Sequence, residues 1–82
     1  MERTLKELEE MSELLSIAVA REEASIEFYS KAFDKAVFES ARRTFSGLIE
    51  EERKHELRLR EQLKDIKSEI QLALSKGGRT QR

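Results

Sequence analysis

Three residues carry the chemistry this sequence can be expected to do: Glu22, Glu52 and His55. On a helix turning about 100° per residue, Phe45, Leu48, Ile49, Leu59, Leu63, Ile66 and Ile70 share one face, and Glu52 falls in the middle of it. His55 lies at the edge of that stripe, because residues three apart are neighbours on a helix surface. A second apolar face, formed by Leu8, Met11, Leu15, Ala18, Ile26, Tyr29 and Phe33, has Glu22 at its centre. A carboxylate buried without a partner costs on the order of several kcal/mol, so such groups are neutralised, ion-paired or bound to a metal. Arg21, Arg53 and Lys54 point away from both stripes, which leaves a divalent cation as the counter-charge. Carboxylate oxygens with an imidazole suit Fe or Mn and can also hold Zn. The Glu-x-x-His spacing alone is weak in so Glu-rich a helix, where a loose seam and an edge histidine would explain it. Three facts together outweigh that reading: two misplaced carboxylates, their equal spacing from a common turn, and a chain with only one histidine.

The elements that must position these residues follow from composition and period. The 82 residues are 38% hydrophobic and 40% charged, with three Gly and no Pro, Cys or Trp, so two long helices are expected and a sheet is hard to place. Thr4 with Glu7 forms a capping-box pattern. The spacing predicts an all-α hairpin domain over 1–76, with one helix over about 3–36 and another over about 39–75. The turn falls among Asp34 to Ser40, with Ser40 as a candidate cap, and Gly77-Gly78 is a candidate stop before a disordered tail over 77–82. If the chain reverses near Val37, Glu22 lies fifteen residues before the turn and Glu52 fifteen after it, so equal rise brings them to one height. A lone helix pair cannot enclose a core, and a second apolar patch, Leu14, Ile17 and Phe28, reads either as scattered surface apolars or as a second oligomer contact. An antiparallel hairpin that dimerises into a four-helix bundle is the expected fold. Two chains would supply four Glu and two His, the donor set of di-iron carboxylate bundles, with two metals per dimer at the shared interface.

Neighbouring residues have lesser roles in this reading. Tyr29, two turns from Glu22 on the same face, could hydrogen-bond a ligand, donate an electron or simply pack. Glu56 falls near the Glu52 stripe as a supporting or entry carboxylate, whereas Glu23 and Glu51 point away as solvated charges able to attract cations. Sixteen basic and seventeen acidic residues leave a net charge of −1, so neither nucleic acid nor an anionic membrane is an expected partner. The N-terminus opens directly into a charged amphipathic helix without a signal peptide or membrane span, which makes the cytoplasm the default location.

Glu22-Glu23-Ala24-Ser25-Ile26-Glu27-Phe28-Tyr29, Phe45 and Glu51-Glu52-Arg53-Lys54-His55 resemble the half-bundle pattern of the ferritin-like superfamily in its rubrerythrin-like branch. The chain carries the hairpin once and is most similar to two-helix encapsulated ferritins. The resemblance implies Glu22, Glu52 and His55 as iron ligands with Tyr29 beside them. It further implies ferroxidase activity, oxidising Fe(II) to Fe(III) with O2 at a di-iron centre shared across a homodimer in support of iron storage or detoxification. Higher oligomers of dimers and cargo loading into an encapsulin shell are implied as well, although no shell-targeting peptide is recognisable in the tail. Two alternatives stand beside this: a non-enzymatic helical dimerisation module, and a rubrerythrin-like scavenger of oxidants.

Overall fold

The computed structural model describes residues 3–80, with side chains from Arg3 to Lys76. It is an antiparallel pair of helices, α1 (Leu5–Lys35) and α2 (Glu39–Thr80), packed against each other in a rod of 66 × 16 × 15 Å. There is no strand among the described residues. The start of α1 is set by its sequence: Thr4 Oγ1 accepts from the Glu7 backbone N–H at 3.1 Å, and Glu7 Oε1 accepts from the Thr4 N–H at 2.9 Å. Two of the first-turn donors that a helix leaves unpaired are thereby satisfied.

The reversal uses only Ala36, Val37 and Phe38 and needs no glycine. Ala36 is extended (φ −69°, ψ 129°), a conformation open to any L-residue, and its N–H still donates to Phe33 O at 3.2 Å. The Phe38 carbonyl accepts from the Arg42 N–H at 3.0 Å, so Phe38 occupies the N-cap position of α2. Ser40, the cap expected from sequence, lies inside the first turn instead, where its carbonyl accepts from Thr44 Oγ1 at 3.0 Å. The expected stop at Gly77-Gly78 is also corrected, since α2 runs through both to Thr80. Glycine ends a helix by taking a left-handed conformation, and none of the described glycines has positive φ; otherwise it merely weakens the helix, by about 1 kcal/mol relative to Ala. Gln81 and Arg82, the end of the expected tail, lie outside the described residues.

The register is symmetric about Val37: Tyr29 stacks on Phe45, Glu22 meets Glu52, and Leu8 clusters with Ile66. Leu8, Leu15, Val19 and Ile66 are the buried apolar residues, with Leu59, Leu63, Ile70 and Ala73 packed against the cluster. Val19 takes a buried place while Met11, expected in the stripe, stays half-exposed. One partner helix covers only one flank of the α1 stripe, and Met11 lies on the other. Leu14 (59% exposed), Phe28 (65%) and Ile17 continue that open flank. Elsewhere the charged residues pair along the helices, as in Lys31–Glu27 and Lys54–Glu50, each at i, i+4. Ion pairs also cross the seam, among them Arg3–Glu69 at 2.9 Å and Arg60–Glu23 at 2.8 Å. No helix among the described residues is long and apolar enough to cross a membrane.

Candidate metal centre

Glu22 sits midway along α1 in an uninterrupted run of helix formers, one turn from buried Val19 and one turn from half-buried Ile26. Glu52 sits about a third of the way along α2, between Ile49 and Leu59, and His55 follows one turn later. Helix rise alone therefore brings the three to one level, and rigid backbone on both sides fixes it. His55 Nδ1 lies 3.2 Å from Glu52 Oε1 and 3.7 Å from Glu22 Oε2. One donor atom from each residue falls within 4.8 Å of the other two. The side chains are 21%, 19% and 44% exposed for Glu22, Glu52 and His55 respectively, so the two carboxylates turn inward and the imidazole closes the rim.

Glu22 Oε2 is covered from solvent and has no hydrogen-bond partner. Buried acceptors are nearly always satisfied, so an orphan oxygen facing a second carboxylate calls for an explanation. The Glu22 carboxyl is held above its usual range, first because Glu52 can hydrogen-bond it only when one of the two is protonated. Loss of hydration and the negative charges of Glu52 and Glu56 push the same way, while His55 opposes them. Two carboxylates this close repel each other unless a positive charge lies between them. A divalent cation bound by Glu22 Oε2, Glu52 and His55 would supply that charge and displace the proton, so the donor set fits a metal.

The surroundings are asymmetric. On one side of the seam, a shallow groove lined by Glu22, His55, Arg58, Leu59 and Gln62 opens the site to solvent. Through Gln62 it meets a longer groove floored by Leu8, Leu15 and Ile66 and edged by Met11, which reaches Arg3 and Glu69. On the other side, Arg60 donates from Nε and Nη2 to Glu56 Oε2 at 2.9 and 2.8 Å, and from Nη2 to Glu23 Oε2 at 2.8 Å.

Compared with known protein families, the chain is matched by the rubrerythrin family model over residues 2–63. The chain belongs to the rubrerythrin family. That places it in the ferritin-like superfamily, a di-iron, oxidoreductase-type group whose domain typically binds iron. No curated protein and no solved structure matches the chain significantly. The match to the rubrerythrin family ends beyond His55, so both helical segments that carry the cluster lie inside it.

The other candidates fall differently. The Tyr29 ring stacks on Phe45 at 6.4 Å and meets Phe28 edge-on at 5.5 Å, and its hydroxyl makes no hydrogen bond among the described residues. Glu51 is exposed. Glu56 and Glu23 share Arg60, a clasp that sequence reading missed in part. The Glu56–Arg60 half was legible as an i, i+4 pair, but the Glu23 half crosses helices and had no signal in one-dimensional spacing.

Proposed function

We propose that the chain is a ferroxidase that oxidises Fe(II) with O2 at a di-iron centre formed by two hairpins. The observation that carries the reading is the covered, unpartnered Glu22 Oε2 beside Glu52 and His55. One hairpin offers two carboxylates and one imidazole, and a second copy doubles that to the donor set of di-iron carboxylate bundles. The second copy has a place to lie: Met11 edges the groove that continues from the site, Leu14 and Phe28 are exposed on the same helix, and covering them would enclose the core that one hairpin lacks.

Iron bound there would supply the one-electron steps by which O2 is reduced. The protein's part is electrostatic and positional. Glu22 and Glu52 would offset cationic charge that rises as iron is oxidised, and a bound cation would oppose the neighbouring negative charge that raises the Glu22 carboxyl. His55 contributes a neutral nitrogen whose position is set by its spacing from Glu52. Leu59 gives the groove at the site an apolar border. Tyr29, held by its aromatic neighbours two turns away, is an electron donor only in a paired assembly that brings it closer to the irons. An open bundle has no storage cavity, so the ferric product would be deposited elsewhere; an encapsulin shell as its destination rests on the sequence resemblance.

The test is anaerobic titration of metal-free protein with Fe(II), then exposure to air, with Glu52→Ala as control. Saturation at two irons per dimer and rapid oxygen-dependent ferric absorbance, both lost in the variant, are expected. Behaviour identical to Glu52→Ala would overturn the reading and leave a helical assembly module.

A further inference from the structure

Glu56 is the one carboxylate near the centre that the proposed chemistry does not use. It follows Glu52 by one turn and His55 by one residue, and its side chain is 20% exposed, as sheltered as those of Glu22 and Glu52. Residues four apart have Cβ atoms about 5–6 Å from each other on a helix, so a cation held by Glu52 lies within reach of a carboxylate at 56. Its charge already bears on Glu22. Arg60 directs it elsewhere: two guanidinium nitrogens converge on Glu56 Oε2, and one of them is anchored across the seam on Glu23 Oε2.

We propose that Arg60 sets the number of carboxylates at the metal centre by holding Glu56 as a non-ligand. The inference rests on Glu22, Glu52 and His55 being a metal site. A forked, two-point hold of one oxygen, fixed to the opposite helix, restrains both the position and the charge of Glu56 in a way a single lysine contact would not. Freed from Arg60, the Glu56 side chain would be able to turn toward a cation held by Glu52 one turn away. Affinity of a hard-oxygen site rises with its carboxylate count. Arg60 is thus a positioning residue that limits how tightly the centre grips a divalent ion, which suits a site that must release its oxidised product.

The experiment is calorimetric titration of the metal-free full chain with Mn(II), a probe that needs no turnover. Wild type is compared with Arg60→Ala, Glu56→Gln, the double variant and Glu52→Ala, with helicity checked by circular dichroism. Arg60→Ala should bind roughly tenfold more tightly. The double variant should return to the wild-type value, and Glu56→Gln alone should match wild type within about twofold. Unchanged or weaker binding in Arg60→Ala would overturn the inference, as would tightening that persists in the double variant. Arg60→Gln repeats the comparison if Arg60→Ala loses helicity. Loss of binding in Glu52→Ala with no tightening in the Arg60 variants sinks this inference alone. Binding that Glu52→Ala leaves unchanged, or no binding in wild type, overturns the metal site itself.

Discussion

Replacing Glu22 by Met should make the metal-free protein more stable while removing its response to metal. Glu22 Oε2 is covered and has no hydrogen-bond partner, and a buried unsatisfied polar group costs about 1–3 kcal/mol. Met is close to Glu in length, carries no charge and fits irregular space, so it removes that cost without opening a cavity. It also ends the conflict with Glu52, the main reason the Glu22 proton is retained. Apolar replacement of buried ionic groups has stabilised other proteins by about 1–4 kcal/mol. A gain of about 1–3 kcal/mol raises Tm by about 4–8 °C per kcal/mol in a domain of this size. The assay is thermal unfolding followed at 222 nm on chelator-treated protein, at one protomer concentration because stability depends on concentration wherever folding is linked to assembly. Wild type should gain Tm when Mn(II) is added, and Glu22→Met should not. A lower Tm for metal-free Glu22→Met than for metal-free wild type would refute the reasoning, because Glu22 would then be contributing to the fold rather than straining it.

Other measurements probe separate links. Because the Glu22 carboxyl is raised in the folded state, its stabilising contribution is complete below the unfolded value near 4.5 and lost as pH rises through the folded value. Denaturant melts of metal-free wild type should accordingly weaken relative to Glu22→Gln as pH increases above 4.5, and parallel curves would rule this out. Thr4→Ala removes the hydroxyl that accepts from the Glu7 N–H and should lower stability by about 1 kcal/mol in the same melts; no measurable loss would mean the α1 terminus frays regardless. Leu14→Glu and Phe28→Glu, both on the open flank of α1, should shift the chain toward monomer in sedimentation experiments and abolish two-iron uptake. If assembly survives both substitutions, the second hairpin lies on another face.

Most of the site was legible in one dimension because helices are regular. Fixed rise and turn per residue convert spacing into height and direction, so two carboxylates fifteen residues either side of Val37, each on an apolar stripe, had to meet once the hairpin closed. The capping box at Thr4 was equally local, since its hydrogen bonds join residues three apart. Tertiary structure decided whatever depends on how each helix is rotated about its axis and on how far long side chains reach. Rotation of α1 against α2 buried Val19 and left Met11 open, though both lie near the same stripe. Arg60 reached 37 positions back in sequence to Glu23 while holding Glu56, turning a charge expected to be solvated and one expected near the stripe into a clasp beside the cluster. The extended backbone at Ala36 let the chain reverse without glycine, and so moved the start of α2 to Phe38 and Glu39 ahead of the expected serine. Period and composition describe each helix alone, and these features belong to the pair.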